Sequence, residues 1–173
     1  MTSQAKPSRK DLQSLLNFIL TLFRLRGYIF KFNYLKKTMK IYVAGTLRGE
    51  VNRKELEEVN KVCEEFGETY LPHRDMGLFE EGMDPNPIFE ENKNRVDWCD
   101  VLVAVVDWKG ISSGTAWELG YGYAKKKPVI ALVEDKKTIR NDYRICVMCN
   151  NKKVVFVENL EELKEKLANL KSE

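Results

Sequence analysis
The stretch "SSGTAWELGYGYA", residues 112–124, carries a single charged side chain, Glu118. A lone carboxylate among small, apolar and aromatic neighbours has two readings. Thr115-x-x-Glu118 has the spacing of a capping box, in which Thr115 caps a helix and Glu118 reaches back to the Thr115 N–H. Against this, the helix is apolar on nearly every face through Ala124, which implies burial all round, and a buried carboxylate is costly unless it is paired or used. Burial raises its pKa and a helix N-terminus lowers it, so it can remain ionised, as a nucleophile requires.

Other side chains could serve the same chemistry. Arg48 lies in the glycine-flanked turn "GTLRGE" (45–50), where its fork suits bidentate contact with phosphate or carboxylate, or simply faces solvent. Ser112 and Ser113 could donate to the same anion or form a turn. His73, the one histidine of the chain, follows "TYLP" (69–72) and closes a strand. Tyr42 falls inside an apolar strand, where packing is the default role. Asn92, Asp97, Asp100 and Asp107 surround "DVLVAVVD" (100–107), and Asp107 ends that strand at the rim. Cys146-x-x-Cys149 has no second half-site of cysteine or histidine pairs, so it reads as two buried thiols. No metal and no cofactor is expected.

The elements that position these residues follow from periodicity. "KIYVAG" (40–45) is a short buried strand ended by glycine, and "NRKELEEVNKVCEEFG" (52–67) spaces Leu56, Val59, Cys63 and Phe66 as a helix face. "TYLP" is a second strand, "IFEENKNRVDWC" (88–99) a helix, and "DVLVAVVD" the most apolar strand. "PVIALVE" (128–134) and "KVVFVEN" (153–159) are two more strands, and "LEELKEKLANL" (160–170) is a closing amphipathic helix. Such alternation predicts an α/β, doubly wound parallel sheet of five strands in the order 2-1-3-4-5, covered on both faces. Ligands bind such sheets beyond the carboxyl ends of strands 1 and 3. The segments leaving those ends are "GTLRGE" and "DWKGISSGTAWE" (107–118), both leading to helix N-termini whose free N–H groups favour an anion.

At 173 residues, 43% hydrophobic and 32% charged, the chain suits one soluble domain with an appendage. Residues 1–40 hold nine Lys/Arg and one Asp, a charge of +8, so the overall +3 leaves −5 for residues 41–173. A nucleic-acid groove across the body is therefore not indicated. Residues 1–38 form a basic arm whose "LQSLLNFILTLFRLRGYIFKF" (12–32) reads as an extra N-terminal amphipathic helix. Its longest charge-free run, Leu12 to Phe23, is too short to span a bilayer, and packing on the body or another subunit is favoured over a membrane surface. The α/β domain occupies 39–173. The cysteine pattern and the absence of a secretory segment point to the cytoplasm.

The combination of "KIYVAGTLRGE", "PIFEENKNRVDWCDVLVAVVDW" and "SSGTAWELGYGYAKKKPVIAL" resembles the nucleoside 2-deoxyribosyltransferase family, which includes the 2′-deoxynucleoside 5′-phosphate N-hydrolases. The resemblance runs from about Met39 through the fourth strand. It implies a flavodoxin-like fold and cleavage of the N-glycosidic bond of a 2′-deoxynucleoside or its monophosphate. In its terms, Glu118, within the G-T-x-x-E-L-G-Y pattern begun by Gly114 and Thr115, attacks C1′ to form a glycosyl-enzyme. Water then gives hydrolysis and a second base gives transfer. Gly45-Thr46-Leu47-Arg48-Gly49 and Ser112 match positions used by the hydrolases on a 5′-phosphate, whereas transferases acting on free nucleosides commonly carry Asp at the Ser112 place. Tyr42 would pack near the sugar and disfavour a 2′-OH, and His73 would assist proton movement or positioning. Asn92 stands where an aspartate commonly handles the base, and asparagine cannot act as a general acid. The resemblance also implies a homodimer or larger homo-oligomer with shared pockets, to which Asn141 of a neighbour would contribute.

Overall fold
The computed structural model describes residues 38–106, 111–136 and 152–172. The 1–37 arm, Asp107, Asn141, Cys146 and Cys149 lie outside the described residues. In chain order the elements are β1 (Met39–Ala44), α1 (Glu50–Glu64), β2 (Gly67–Tyr70), α2 (Pro72–Asp75), α3 (Asn86–Trp98), β3 (Val101–Val105), α4 (Ser113–Ala124), β4 (Val129–Leu132), β5 (Val154–Val157) and α5 (Leu160–Ser172). The strands form one sheet in the order β2-β1-β3-β4-β5, with every neighbouring pair parallel. The expected topology is therefore the observed one, and it is that of a flavodoxin-like fold.

Helices on both faces explain why the central strands are apolar without alternation. Side chains of β1 still alternate in direction, so Ile41 and Val43 enter one core with Leu56, Val59 and Cys63 of α1 and Leu163 and Leu167 of α5. Tyr42 and Ala44 enter the other, with Val96 of α3, Leu102 of β3 and Leu119 of α4. Tyr42 is the largest fully buried side chain among the described residues. A phenolic hydroxyl at that depth costs about 1–3 kcal/mol if left without a partner. Its partner decides the character of this face.

Three local expectations are corrected. The strand holding "TYLP" ends at Tyr70, because Pro72 occupies the first turn of the short helix α2; His73 is thus helical and does not close the strand. The N-cap of α4 is Ser112, whose Oγ accepts the Thr115 N–H at 3.2 Å and lies 2.8 Å from Thr115 Oγ1. Thr115 is therefore inside the helix, and the Thr115–Glu118 capping box is not formed. Nor is α4 buried all round: Trp117 and Tyr123 are 42% and 47% exposed, and Trp117 stacks on Tyr121 and meets Phe89 of α3 edge-on. Aromatic side chains here cover one another on the surface, a pattern that composition cannot separate from burial.

Candidate active site
Glu118 sits in the second turn of α4, on the side of the helix that faces β1. The Tyr42 hydroxyl donates to Glu118 Oε1 at 2.6 Å, a contact between residues 76 apart in sequence. This distance is within the range expected for a hydroxyl bonded to an ionised carboxylate. The bond answers both burial problems at once, because the Tyr42 hydroxyl gains its acceptor and the carboxylate gains a donor.

The electrostatics of the pair are those of an enclosed acid. Burial pushes the Glu118 carboxyl up to about 7, against a smaller downward pull from the Tyr42 hydrogen bond. The helix N-terminus was expected to offset burial. Glu118 lies six residues beyond the Ser112 cap, however, and the dipole effect fades within the first turn. Burial, the Glu118 charge and the same hydrogen bond raise the Tyr42 hydroxyl far above its usual range, so it stays a donor across the working pH range.

Around this pair the structure gathers a second layer. Tyr70, the β2 register partner of Tyr42, packs against it with ring centroids 5.4 Å apart and donates its hydroxyl to Asn92 Oδ1 at 2.8 Å. The Arg95 guanidinium covers the Tyr70 ring, 5.1 Å from its centroid. Glu118, Tyr42 and Asn92 thus belong to one connected cluster. Tyr70, the connecting residue, is not singled out by the sequence, where it reads as one more strand aromatic. The only available signal is its position at the end of the strand beside Tyr42.

The anion-binding candidates occupy the carboxyl edge of the sheet. Gly45 lets the chain pass close to α1, since a Cβ there would lie 2.4 Å from Leu56 Cδ2. Gly49 has φ +82°, a backbone that L side chains rarely adopt, and it precedes α1 without a side-chain cap. Between them, Thr46 and Leu47 are half-buried and Arg48 is exposed; the Arg48 carbonyl accepts from Asn52, and no described residue pairs with its guanidinium. Ser112 caps α4 from the adjacent connection, and Gly114 has open space beside it. By helix rise, Ser112 and Glu118 are separated by roughly 9 Å along the axis.

His73 is placed elsewhere. Its Nε2 lies 3.0 Å from Glu57 Oε1 of α1, and its buried Nδ1 has no partner among the described residues. No contact joins it to Glu118 among those residues. A cavity of about 480 Å³ opens between α1 and the ends of β3, β4 and β5, but Glu55, Glu58, Glu134 and Glu158 line it. Four carboxylates repel an anion, and none of the described candidate side chains lines that cavity. Among the described residues no group of acidic, histidine or cysteine side chains could hold a metal, and no helix is long and apolar enough to cross a membrane.

The family model of the nucleoside 2-deoxyribosyltransferases matches residues 41–170, which spans the sheet and every described element after β1 begins. The chain belongs to the nucleoside 2-deoxyribosyltransferase family. It is 36% identical over 100 residues, 54% of this chain and 67% of the relative, to a Thermofilum pendens protein named "Putative 2'-deoxynucleoside 5'-phosphate N-hydrolase 1". The fold is shared with a 2-deoxyribosyltransferase of Bacillus psychrosaccharolyticus, with TM-score 0.62, 20% identity, and 74% and 95% of the two chains covered. It is shared also with a Clostridium botulinum CMP N-glycosidase, with TM-score 0.52, 22% identity, and 76% and 98% covered. As a member of this family the protein is an enzyme of the N-glycosidase or deoxyribosyltransferase type, acting on small nucleoside substrates.

Proposed function
We propose that this family member hydrolyses the N-glycosidic bond of 2′-deoxynucleoside 5′-monophosphates, with Glu118 as nucleophile. The observation that carries the reading is the enclosed Glu118 carboxylate held at 2.6 Å by Tyr42. With a midpoint at about 7, a large fraction is ionised near neutrality while little water solvates it, and a poorly solvated carboxylate is a stronger nucleophile than one in bulk water.

In the first step a Glu118 oxygen bonds to C1′ as the C1′–N bond breaks, and the base leaves with that electron pair through an oxocarbenium-like transition state. In the second step water attacks C1′, the Glu118 ester bond breaks, and a proton is lost from the attacking water. The products are free base and 2-deoxyribose 5-phosphate. Asn92 has no proton to give as an acid, and His73 is held on Glu57 away from Glu118, so the base takes its proton from solvent. Tyr42 holds the nucleophile in place and fills the space beside the sugar where a 2′-OH would lie.

Arg48, the Thr46–Gly49 turn, Ser112 and the Gly114 N–H supply donors for a 5′-phosphate at the carboxyl edge, with Thr115 bonded behind Ser112. A serine rather than a carboxylate at 112 favours the phosphorylated substrate over an unphosphorylated nucleoside. Asp107 belongs to the same proposed rim. The proposal extends to a homo-oligomer in which Asn141 completes a neighbour's pocket; the exposed Phe89, Trp117 and Tyr123 on α3 and α4 favour it.

The experiment is a product assay. The protein is incubated with each 2′-deoxynucleoside and its 5′-monophosphate, with and without an acceptor base. Free base with 2-deoxyribose 5-phosphate from the monophosphates supports the reading. A new nucleoside formed only with acceptor base makes the protein a transferase instead.

A further inference from the structure
Asn92 is an amide, which cannot protonate the leaving base, and its environment is unusually determined. The Tyr70 ring lies between the Tyr42 ring, centroids 5.4 Å apart, and the Arg95 guanidinium, 5.1 Å from its centroid. Arg95 is itself tied to Glu91 by a 2.6 Å hydrogen bond and also covers Trp98. Tyr70 therefore has little freedom to turn, and its hydroxyl is delivered to Asn92 Oδ1 at 2.8 Å.

That contact has a direction. The Tyr70 hydroxyl keeps its proton, because burial and the charges of Glu91, Asp75 and Glu118 raise it well above its usual range despite Arg95. A protonated phenol facing an amide carbonyl donates, which commits Asn92 Oδ1 as acceptor. The two hydrogens on Nδ2 then point away from Tyr70, and no described residue accepts them. Tyr70 packs on Tyr42, whose hydroxyl donates to Glu118, so the presented amide is joined to Glu118 through the two tyrosines.

We infer that Tyr70 is a positioning residue that locks the Asn92 amide with its NH2 toward the leaving base, so that the site reads a base edge carrying a hydrogen-bond acceptor. This rests on the proposed N-glycosidic cleavage and adds to it the polarity of the base contact. As C1′–N breaks, negative charge builds on the base, and its ring nitrogens and carbonyl oxygens become better acceptors. A fixed N–H donor stabilises that charge without transferring a proton, which is what an amide can do and a neutral site lacking donors cannot. Bases with an exocyclic amine at the contacted position would set donor against donor and leave buried N–H groups unpaired.

The test compares matched substrates that differ only in this property: 2′-deoxyinosine against 2′-deoxyadenosine 5′-monophosphate, 2′-deoxyuridine against 2′-deoxycytidine 5′-monophosphate, and each purine against its 7-deaza form. Base release and, independently, dissociation constants by calorimetry are measured for the full chain and for Tyr70→Phe, which keeps the ring on Tyr42 and removes only the hydroxyl. The expected result is that at least one exchange of acceptor for donor or for C–H weakens kcat/KM and binding about tenfold or more in the wild type. In Tyr70→Phe that ratio should fall toward one, because the amide can turn over, while the pH midpoint set by Glu118 stays in place. A merely structural role would lower all substrates together and leave the ratios unchanged, and that result overturns the inference. So does a wild type that shows no preference in any pair. Failure of the cleavage reading is separate: it appears as no base released from any substrate, and the calorimetric ratios still decide the orientation of Asn92.

Discussion

Replacing Tyr42 with phenylalanine isolates the bond at the centre of the site. The phenyl ring keeps its packing on Tyr70, while Glu118 Oε1 loses the donor that stands 2.6 Å away. Hydrogen bonds to charged groups contribute about 1.5–3 kcal/mol, and 1.36 kcal/mol corresponds to about one pKa unit. The Glu118 midpoint should therefore rise from about 7 to roughly 8–9. At pH 7 the ionised fraction falls from about one half to about one tenth or less, so kcat/KM at pH 7 drops about fivefold or more. The loss should reverse on the alkaline side, since the carboxylate that does ionise is less restrained by a donor. The assay is base release across pH 5–10 for both proteins, with circular dichroism showing that both stay folded. A variant whose activity midpoint stays at the wild-type position or moves to lower pH refutes the reasoning.

Glu118→Gln should abolish base release while leaving nucleotide binding measurable by calorimetry; turnover within tenfold of wild type would remove Glu118 from the nucleophile role. The same substitution alters the pH dependence of stability. The folded midpoint, about 7, lies above the 4.5 of a free glutamate, so the folded protein holds a proton that the unfolded chain releases between those values. Wild-type stability should thus fall as pH rises through that window, by up to about 3 kcal/mol, and Glu118→Gln should lack this slope in urea unfolding at pH 5 and pH 8. Parallel pH dependences would contradict the burial argument. Ser112→Ala removes the α4 cap and should lower stability by about 1 kcal/mol. It should also lower kcat/KM more for 5′-monophosphates than for nucleosides, and an equal loss on both would leave Ser112 only a cap. Sedimentation equilibrium of the full chain should give a dimer or larger species, and a monomer at micromolar concentration would end the shared-pocket proposal.

The sheet was legible because both of its causes are local. Runs such as "VLVAV" are short, apolar and rich in β-branched residues, as doubly covered strands are, and the helices between them lead to parallel crossovers. Glu118 and Tyr42 were each visible as candidates, but their contact was not, since it joins residues 76 apart and depends on which way β1 faces. The cap of α4 was misplaced because Ser112-x-x-Thr115 and Thr115-x-x-Glu118 both satisfy the spacing, and only packing against β1 turns Glu118 inward. In the sequence His73 closes a strand, whereas Pro72 starts a helical turn that carries it to Glu57. Tyr70 was missed because a strand tyrosine looks like core until its hydroxyl is seen to have a partner.

Double displacement at C1′ through Glu118 is tested most directly by the stereochemistry of methanolysis. Turnover of a 2′-deoxynucleoside 5′-monophosphate in aqueous methanol gives a methyl glycoside whose anomer is stable and can be assigned by NMR. Two displacements, first by Glu118 and then by methanol, predict the β-methyl product with retained configuration. The α-methyl product, formed by a single inversion, would mean that solvent attacks C1′ directly and that Glu118 is not the nucleophile.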